Sequence, residues 1–298
     1  MKKFMIIVLF VFCFISESRS SEDNITYSED ISGIFQRKCI ECHQTGELAP
    51  MALTSYEEAR PWVKSIRKQV ENRNMPPWDA NPKYGEFVND MSLSQTEIDL
   101  IIQWTEQGAL SGDLSSVSSV VNNSGSKWKM GEPDLFLTPE NPMIVPVTGI
   151  NEDLYQCIVL PYMFDEDKWI NGIEYRIENR KIVHHVIGFT DVSGRSKSLD
   201  DKTPESGFPC SMGGRSGRIG AMLGGWAPGM PPNDFPEGTG TLIEKGSYIV
   251  LQMHYFNQTD SMKLDASGIG IHFASEPVTK RARILPIAQW NLYIPAGD

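Results

Sequence analysis

The chain has 298 residues, 40% of them hydrophobic and 22% charged, with a formal net charge of −11. That length suits roughly two domains, and the acidic balance makes nucleic acid a poor partner. The chain opens with Met1-Lys2-Lys3, an apolar run from Phe4 to Ile15 and the polar Ser16-Glu17-Ser18. These are the three regions of a secretory signal peptide, assigned here to residues 1–20. The run is too short to span a bilayer comfortably. Phe12 and Phe14 around Cys13 do not resemble a lipoprotein cleavage box. Cleavage near Ser20 would leave 24 basic against 37 acidic residues, a net charge of −13. The expectation is an exported, soluble protein with no membrane span, periplasmic or secreted. Cys157 and Cys210 would then lie where a cysteine pair can persist as a disulfide.

Residues Ser28 to Lys38 read as a helix capped by Ser28, with Ile31, Ile34 and Phe35 at helical spacing. It delivers the chain into Cys39-Ile40-Glu41-Cys42-His43. Two cysteines two residues apart, followed by histidine, read as a c-type haem attachment site. The gap lets one helical turn present both thiols to the haem vinyl groups, and the histidine becomes the proximal iron ligand. A zinc site would need four ligands, and no second CxxC exists. A redox CxxC would want a βαβ context, which is missing. After the loop Gly46–Met51, Thr54 or Ser55 with Glu57 and Glu58 offers a capping box. Pro61 interrupts the helix, which continues through Val63, Ile66 and Val70.

Met75-Pro76-Pro77-Trp78 follows, and its prolines hold an extended segment. A methionine fixed there can be aimed at a haem face, so Met75 is the candidate sixth ligand, with Met51 and Met91 as rivals. A gap-filling core methionine is the alternative. Ser94 to Glu97 is another capping box. It starts a helix with Ile98, Ile101, Ile102 and Trp104 on one face, ending at Gly108. This order of helices, haem motif and methionine resembles a small class I cytochrome c. Over Lys38 to Gly112 the chain is similar to a family of short bacterial monohaem domains. Glu57-Glu58-Ala59-Arg60-Pro61-Trp62 and Met75-Pro76-Pro77-Trp78 carry that resemblance, which implies an all-α cytochrome c domain over 21–112.

Ser111 to Lys127 is rich in Ser, Gly and Asn and reads as a linker, giving a domain boundary at 113–130. Beyond it, β-rich runs alternate with Gly, Pro and Asn: Tyr155–Leu160, Gly172–Ile177, Lys181–Thr190, Gly246–Phe256 and Ser267–Phe273. Such spacing predicts an all-β sandwich. Ser193–Glu244, dense in Gly and Pro, reads as one long loop, a length that is usually functional or disordered.

Four of the five histidines fall in this half: His184, His185, His254 and His272. Adjacent strand residues face opposite ways. One metal can therefore take both His184 and His185 only if the strand is bulged or ends there. Each could instead be an ordinary hydrogen-bonded histidine. Three imidazoles without thiolate suit copper, zinc or iron.

Val183-His184-His185, Gly225-Trp226-Ala227-Pro228-Gly229, Tyr248–Tyr255 and Ser267-Gly268-Ile269 resemble the N-terminal domain of the copper type II, ascorbate-dependent monooxygenases. The peptidylglycine α-hydroxylating monooxygenase and dopamine β-hydroxylase family is meant. The resemblance implies a jelly-roll-like β-sandwich, here 131–275, holding one electron-storing copper through His184, His185 and His254. It gives His272 no ligand role. It also implies a disulfide at Cys157, for which Cys210 stands at a compatible distance. The family's second, oxygen-activating copper belongs to a second β-sandwich. Residues 276–298, ending in Leu292–Asp298, resemble its opening, and no histidine follows His272. The expectation is a truncated second domain and no assignable catalytic residue.

The expected protein therefore binds haem c and copper. As part of a monooxygenase it would hydroxylate a C–H bond of an unidentified small molecule with O2. The haem would be fed by a small redox protein or an ascorbate-like reductant. The alternatives are an electron-transfer or copper-binding protein without oxygenase activity, and a β-sandwich that only positions the cytochrome.

Overall fold

A computed structural model describes residues 24–47, 49–87, 89–117, 128–149, 152–203, 206–210, 220–285, 287, 289, 291–293 and 295. The signal-peptide reading, and residues 118–127 of the linker reading, lie outside them. The chain divides into two compact units: Met1–Lys38 with Ser55–Ser118, and Cys39–Thr54 with Ser119–Asp298. Among the described residues, no helix is long and apolar enough to cross a membrane.

The described part of the first unit is helical. A five-residue π-turn, Tyr27–Ile31, runs into α1 (Ser32–Lys38). Its cap is Thr26 rather than the expected Ser28. The Thr26 side chain accepts from Glu29 N, and Asp30 Oδ2 accepts from Thr26 N at 2.8 Å. Helix α2 (Tyr56–Ala59) is capped by Ser55. Pro61 turns the next three residues into a 3₁₀ segment before α3 (Val63–Glu71). Helix α4 (Gln95–Glu106) starts with the full Ser94/Glu97 capping box. It ends at Gly108, whose φ of 90° suits glycine just past a helix C-terminus. Ile31, Phe35, Ile101 and Trp104 are almost wholly buried, whereas Ile102 is only partly so. Tyr27, Phe35, Tyr56 and Trp104 form an aromatic cluster at its centre, with ring centroids 5.6–6.2 Å apart.

The described residues of the second unit form thirteen strands. They are β1 (Leu135–Leu137), β2 (Met143–Val145), β3 (Leu154–Met163), β4 (Lys168–Arg176), β5 (Val183–Asp191), β6 (Phe208–Pro209) and β7 (Met222–Trp226). Then follow β8 (Asn233–Asp234), β9 (Thr239–Ile243), β10 (Tyr248–Tyr255), β11 (Lys263–Asp265), β12 (Gly268–Phe273) and β13 (Lys280–Arg281). One sheet has the order β1-β12-β4-β9-β13, with β8 also on β4; the other has β6-β3-β10-β5-β7. Their facing side chains meet in one core that includes Ile170, Ile173, Ile269 and Ile271 from the first sheet and Leu160, Val186, Leu251 and Met253 from the second. The unit is a β-sandwich, with β2 and β11 as a separate ribbon.

Strand β10 is central and buried almost throughout, because its sheet is covered on both faces. Ile249, Leu251, Met253 and Tyr255 point into the core. On the outer face, Val250 packs with Val159, Phe208, Cys157 and Cys210. Ser193–Glu244 is not the single loop expected from its composition. It contains α5 (Arg195–Asp200) and β6 to β9. Strand β7 hides in the sequence because its centre is Gly224-Gly225, which has no side chains to alternate. The glycine is needed there, since a Cβ on Gly225 would stand 2.9 Å from Val186 O. Trp128, inside the expected linker, is 6% exposed and already belongs to the sandwich. Of residues 276–298, the described part contains one short strand, β13, which pairs with β9.

Cys157 and Cys210 form a disulfide spanning 53 residues. It ties β3 to the segment after β6. Replacing both cysteines with serine is expected to cost about 2–5 kcal/mol of stability. Urea unfolding followed by tryptophan fluorescence should show a lower midpoint; an unchanged midpoint would refute it.

Candidate metal centre

The conflict between adjacent histidines and strand alternation is resolved by a bulge. His254 of β10 faces His185 of β5, but the next residue, Tyr255, faces Val183. His184 is therefore one extra residue on β5. An extra residue bends the strand and re-aims its side chains, so both imidazoles turn to the same side. His184 Nδ1 and His254 Nδ1 each lie 3.2 Å from His185 Nδ1. One nitrogen from each of the three rings falls within 4.8 Å of the others. Nitrogens about 2.0 Å from a shared ion at tetrahedral angles would be about 3.3 Å apart, so the spacing fits a common metal. His184 is exposed, His185 half-buried and His254 buried.

The surroundings favour the neutral, ligating form. Burial, then the neighbouring His254 and His184, hold His185 below the usual imidazole range; Asp153 pulls weakly the other way. Tyr155 lies beside His254 across the sheet and stacks on its ring, with centroids 4.2 Å apart and planes 8° from parallel. His254 Nε2 lies 2.8 Å from Asp153 Oδ1. The next row on the same sheet face, two residues along, holds Cys157 beside Gln252, whose Nε2 reaches Cys210 Sγ at 3.7 Å. The disulfide thus braces the sheet one row from the histidines. His272 is not in the group. It lies on β12 of the opposite sheet, opposite Gly172, with its Nε2 buried.

Asp153 and Tyr155 were not singled out from the sequence. Their link to His254 exists only through the β3–β10 register. The available signal was indirect: Tyr155 and Cys157 share a strand face, and Cys157 had already been marked for the disulfide.

The Cys39–His43 segment forms a single turn, with His43 N donating to Cys39 O at 3.0 Å. Cys39 and Cys42 are half-buried and outside any disulfide. His43 Nδ1 lies 3.2 Å from Met51 O. A carbonyl can only accept, so Nδ1 carries the proton and Nε2 is left as the ligating nitrogen. Met51, a rival for the sixth position, thus contributes its backbone to orienting His43. Around this turn Glu41 pairs with Lys129 at 2.6 Å and Glu47 with Arg180 at 3.2 Å. Arg180 also stacks over Trp226. Burial, then the Glu41 and Glu47 carboxylates, push the Cys42 thiol up, against Arg180 and Lys129. A redox-active CxxC needs the opposite shift. Met75 belongs to the helical unit. It follows α3 in a turn closed by Met75 N donating to Gln69 O at 3.3 Å, and it is exposed rather than filling a gap in the core. Met91 is half-buried.

Comparison with known proteins finds a family resemblance within the second unit. Residues 142–262 match the model described as copper type II ascorbate-dependent monooxygenase, N-terminal domain. The match runs from β2 to just before β11 and includes all three clustered histidines and both disulfide cysteines. No curated protein matches the chain. The matched family favours copper, one of the metals that a three-imidazole donor set can hold.

Cys42 should alkylate slowly in haem-free protein near neutral pH, because little of it is thiolate below its raised pKa. Glu41→Gln with Glu47→Gln removes two charges that raise that pKa. The double substitution should therefore speed iodoacetamide labelling severalfold, read by mass spectrometry. A rate unchanged by it would contradict the assigned cause.

Proposed function

We propose that the chain is an exported copper oxidoreductase serving oxygen-dependent hydroxylation of a C–H bond, with a haem c domain supplying its electrons. The observation that carries this reading is the convergence of three ring nitrogens within 4.8 Å, inside the stretch that matches a copper monooxygenase family. His184, His185 and His254 would hold copper. Cys39 and Cys42 would hold haem through thioethers, with His43 and Met75 as axial ligands. When bound, the two groups supply one-electron storage and transfer.

The chain's own residues prepare both places. Met51 O orients His43, and both thiols are half-buried in the attachment turn. The bulge at His184 aims two neighbouring rings together, and burial keeps His185 neutral and able to donate a lone pair. The Cys157–Cys210 disulfide supports an oxidising, extracytoplasmic location. The electron donor would be a small redox protein or an ascorbate-like reductant, and O2 and an unidentified small molecule the co-substrates. A plain electron-transfer role is the second reading. Its support is the histidine group itself, whose three imidazoles can hold one copper.

Four measurements test the proposal. Protein matured with a c-type system should keep its colour through acid-acetone extraction; loss of haem to the organic phase would remove the haem assignment. Met75→Ala should abolish the sulfur-to-iron charge-transfer band and lower the potential, because a thioether favours ferrous iron. An unchanged spectrum would move the sixth ligand elsewhere.

One copper per chain is expected at the histidine group. Alanine at His184, His185 or His254 should weaken binding at least tenfold, while His272→Ala leaves it intact. Equal loss in His272→Ala would overturn the ligand set. Finally, anaerobically reduced haem should reoxidise on Cu(II) loading in a first-order process independent of protein concentration. It should stop when His184 and His185 are both alanine. The same rate in that double variant would refute the wiring.

A further inference from the structure

His254 is the ligand candidate most enclosed by protein, and both of its ring nitrogens have a neighbour. Nδ1 faces His185 Nδ1 at 3.2 Å, and Nε2 faces Asp153 Oδ1 at 2.8 Å. A carboxylate accepts and does not donate, so Nε2 carries the proton, and in the neutral ring that a metal needs Nδ1 presents the lone pair. Asp153 directly precedes β3. The β3–β10 register that pairs Tyr155 with His254 brings this carboxylate to the far edge of the ring. Tyr155 stacked on the ring face prevents the imidazole from swinging away.

We infer that Asp153 is the positioning residue of the three-histidine centre, fixing the Nε2–H tautomer of His254 and so committing Nδ1 to the metal. This rests on the copper reading above. A carboxylate behind a ligating imidazole fixes ring orientation and raises the ligand's basicity, and its loss typically costs 10–100-fold in metal affinity. An ordinary exposed ion pair would have little consequence. The Asp153 side chain is 53% exposed while that of His254 is 8% exposed, so the carboxylate is anchored on an enclosed partner.

The test compares the full chain with Asp153→Ala and Asp153→Asn, the latter keeping an oxygen acceptor without the charge. In metal-free protein, nitrogen NMR of the histidine rings should find His254 as the Nε2–H tautomer in the wild type and in Asp153→Asn. In Asp153→Ala it should become a mixture. On copper loading, Asp153→Ala should bind 10–100-fold more weakly and change the remote-nitrogen coupling of one imidazole in pulsed EPR. Asp153→Asn should fall between. An unchanged tautomer in Asp153→Ala, or copper affinity within twofold of wild type, would overturn the inference. The copper reading fails separately: a wild-type chain that takes up no copper would remove it, while the tautomer change in Asp153→Ala would still uphold Asp153 as the group that orients His254.

Discussion

The insertion of one residue into β5 decides what this sandwich can do. On a regular strand, His184 and His185 would project to opposite sheet faces, and only one of them could meet His254. With His184 as the extra residue, His185 stays opposite His254 while His184 is turned to the same side. Everything else around the centre serves to hold that register. Strand β10 is clamped between β3 and β5, its inner residues are locked in the core, and its outer face is sealed by the Cys157–Cys210 segment. A slip of one residue would exchange the two faces of β10. It would drive Gln252 and His254 into an apolar core and push Leu251 and Met253 outward. The register that makes the core is therefore the register that makes the site.

Much of the second unit was legible in the sequence because its long strands are apolar and bounded by turn residues. The five β-rich runs all became strands, with limits shifted by a few residues. The short strands were not legible. Strand β7 carries two glycines, β6 and β8 have two residues each, and a pattern that short has no period. The helical unit was read well where capping chemistry is local, as at Ser55 and Ser94. It was read less well at the first helix, where Thr26 and Asp30 share the capping and the first turn widens to a π-turn.

The site divides along the same line. The three histidines could be grouped from a family resemblance, and the alternation rule required either a bulge or a strand end at His184-His185. Which residue would be extra was not readable, because a bulge is a property of two strands paired together. Asp153 was invisible for the same reason. It is 101 residues from His254 in the chain, and an aspartate before a strand has no local mark of function. His272 shows the converse, since a histidine in the right region sits on the other sheet.

The two proposed centres differ in how much folding they require, and this bears on the order in which they can be made. The Cys39–His43 turn is closed by bonds between residues at most four apart, and His43 is oriented by Met51 only eight residues on. Such a site can take shape from a short stretch of chain, which suits an attachment reaction that must reach both thiols. The histidine group needs β5 and β10 paired across a sequence separation of 69 residues, with the bulge in place. Closing contacts that distant costs chain entropy that only the assembled core can offset. Copper would therefore bind to a sandwich already formed, and its binding energy would then favour the bulged register over any slipped one. The disulfide, which closes a comparable 53-residue span one row from the histidines, restrains β3, the other neighbour of β10, in the absence of metal. Core, disulfide and metal would thus act in turn on one feature, the pairing of β10 with its two neighbours.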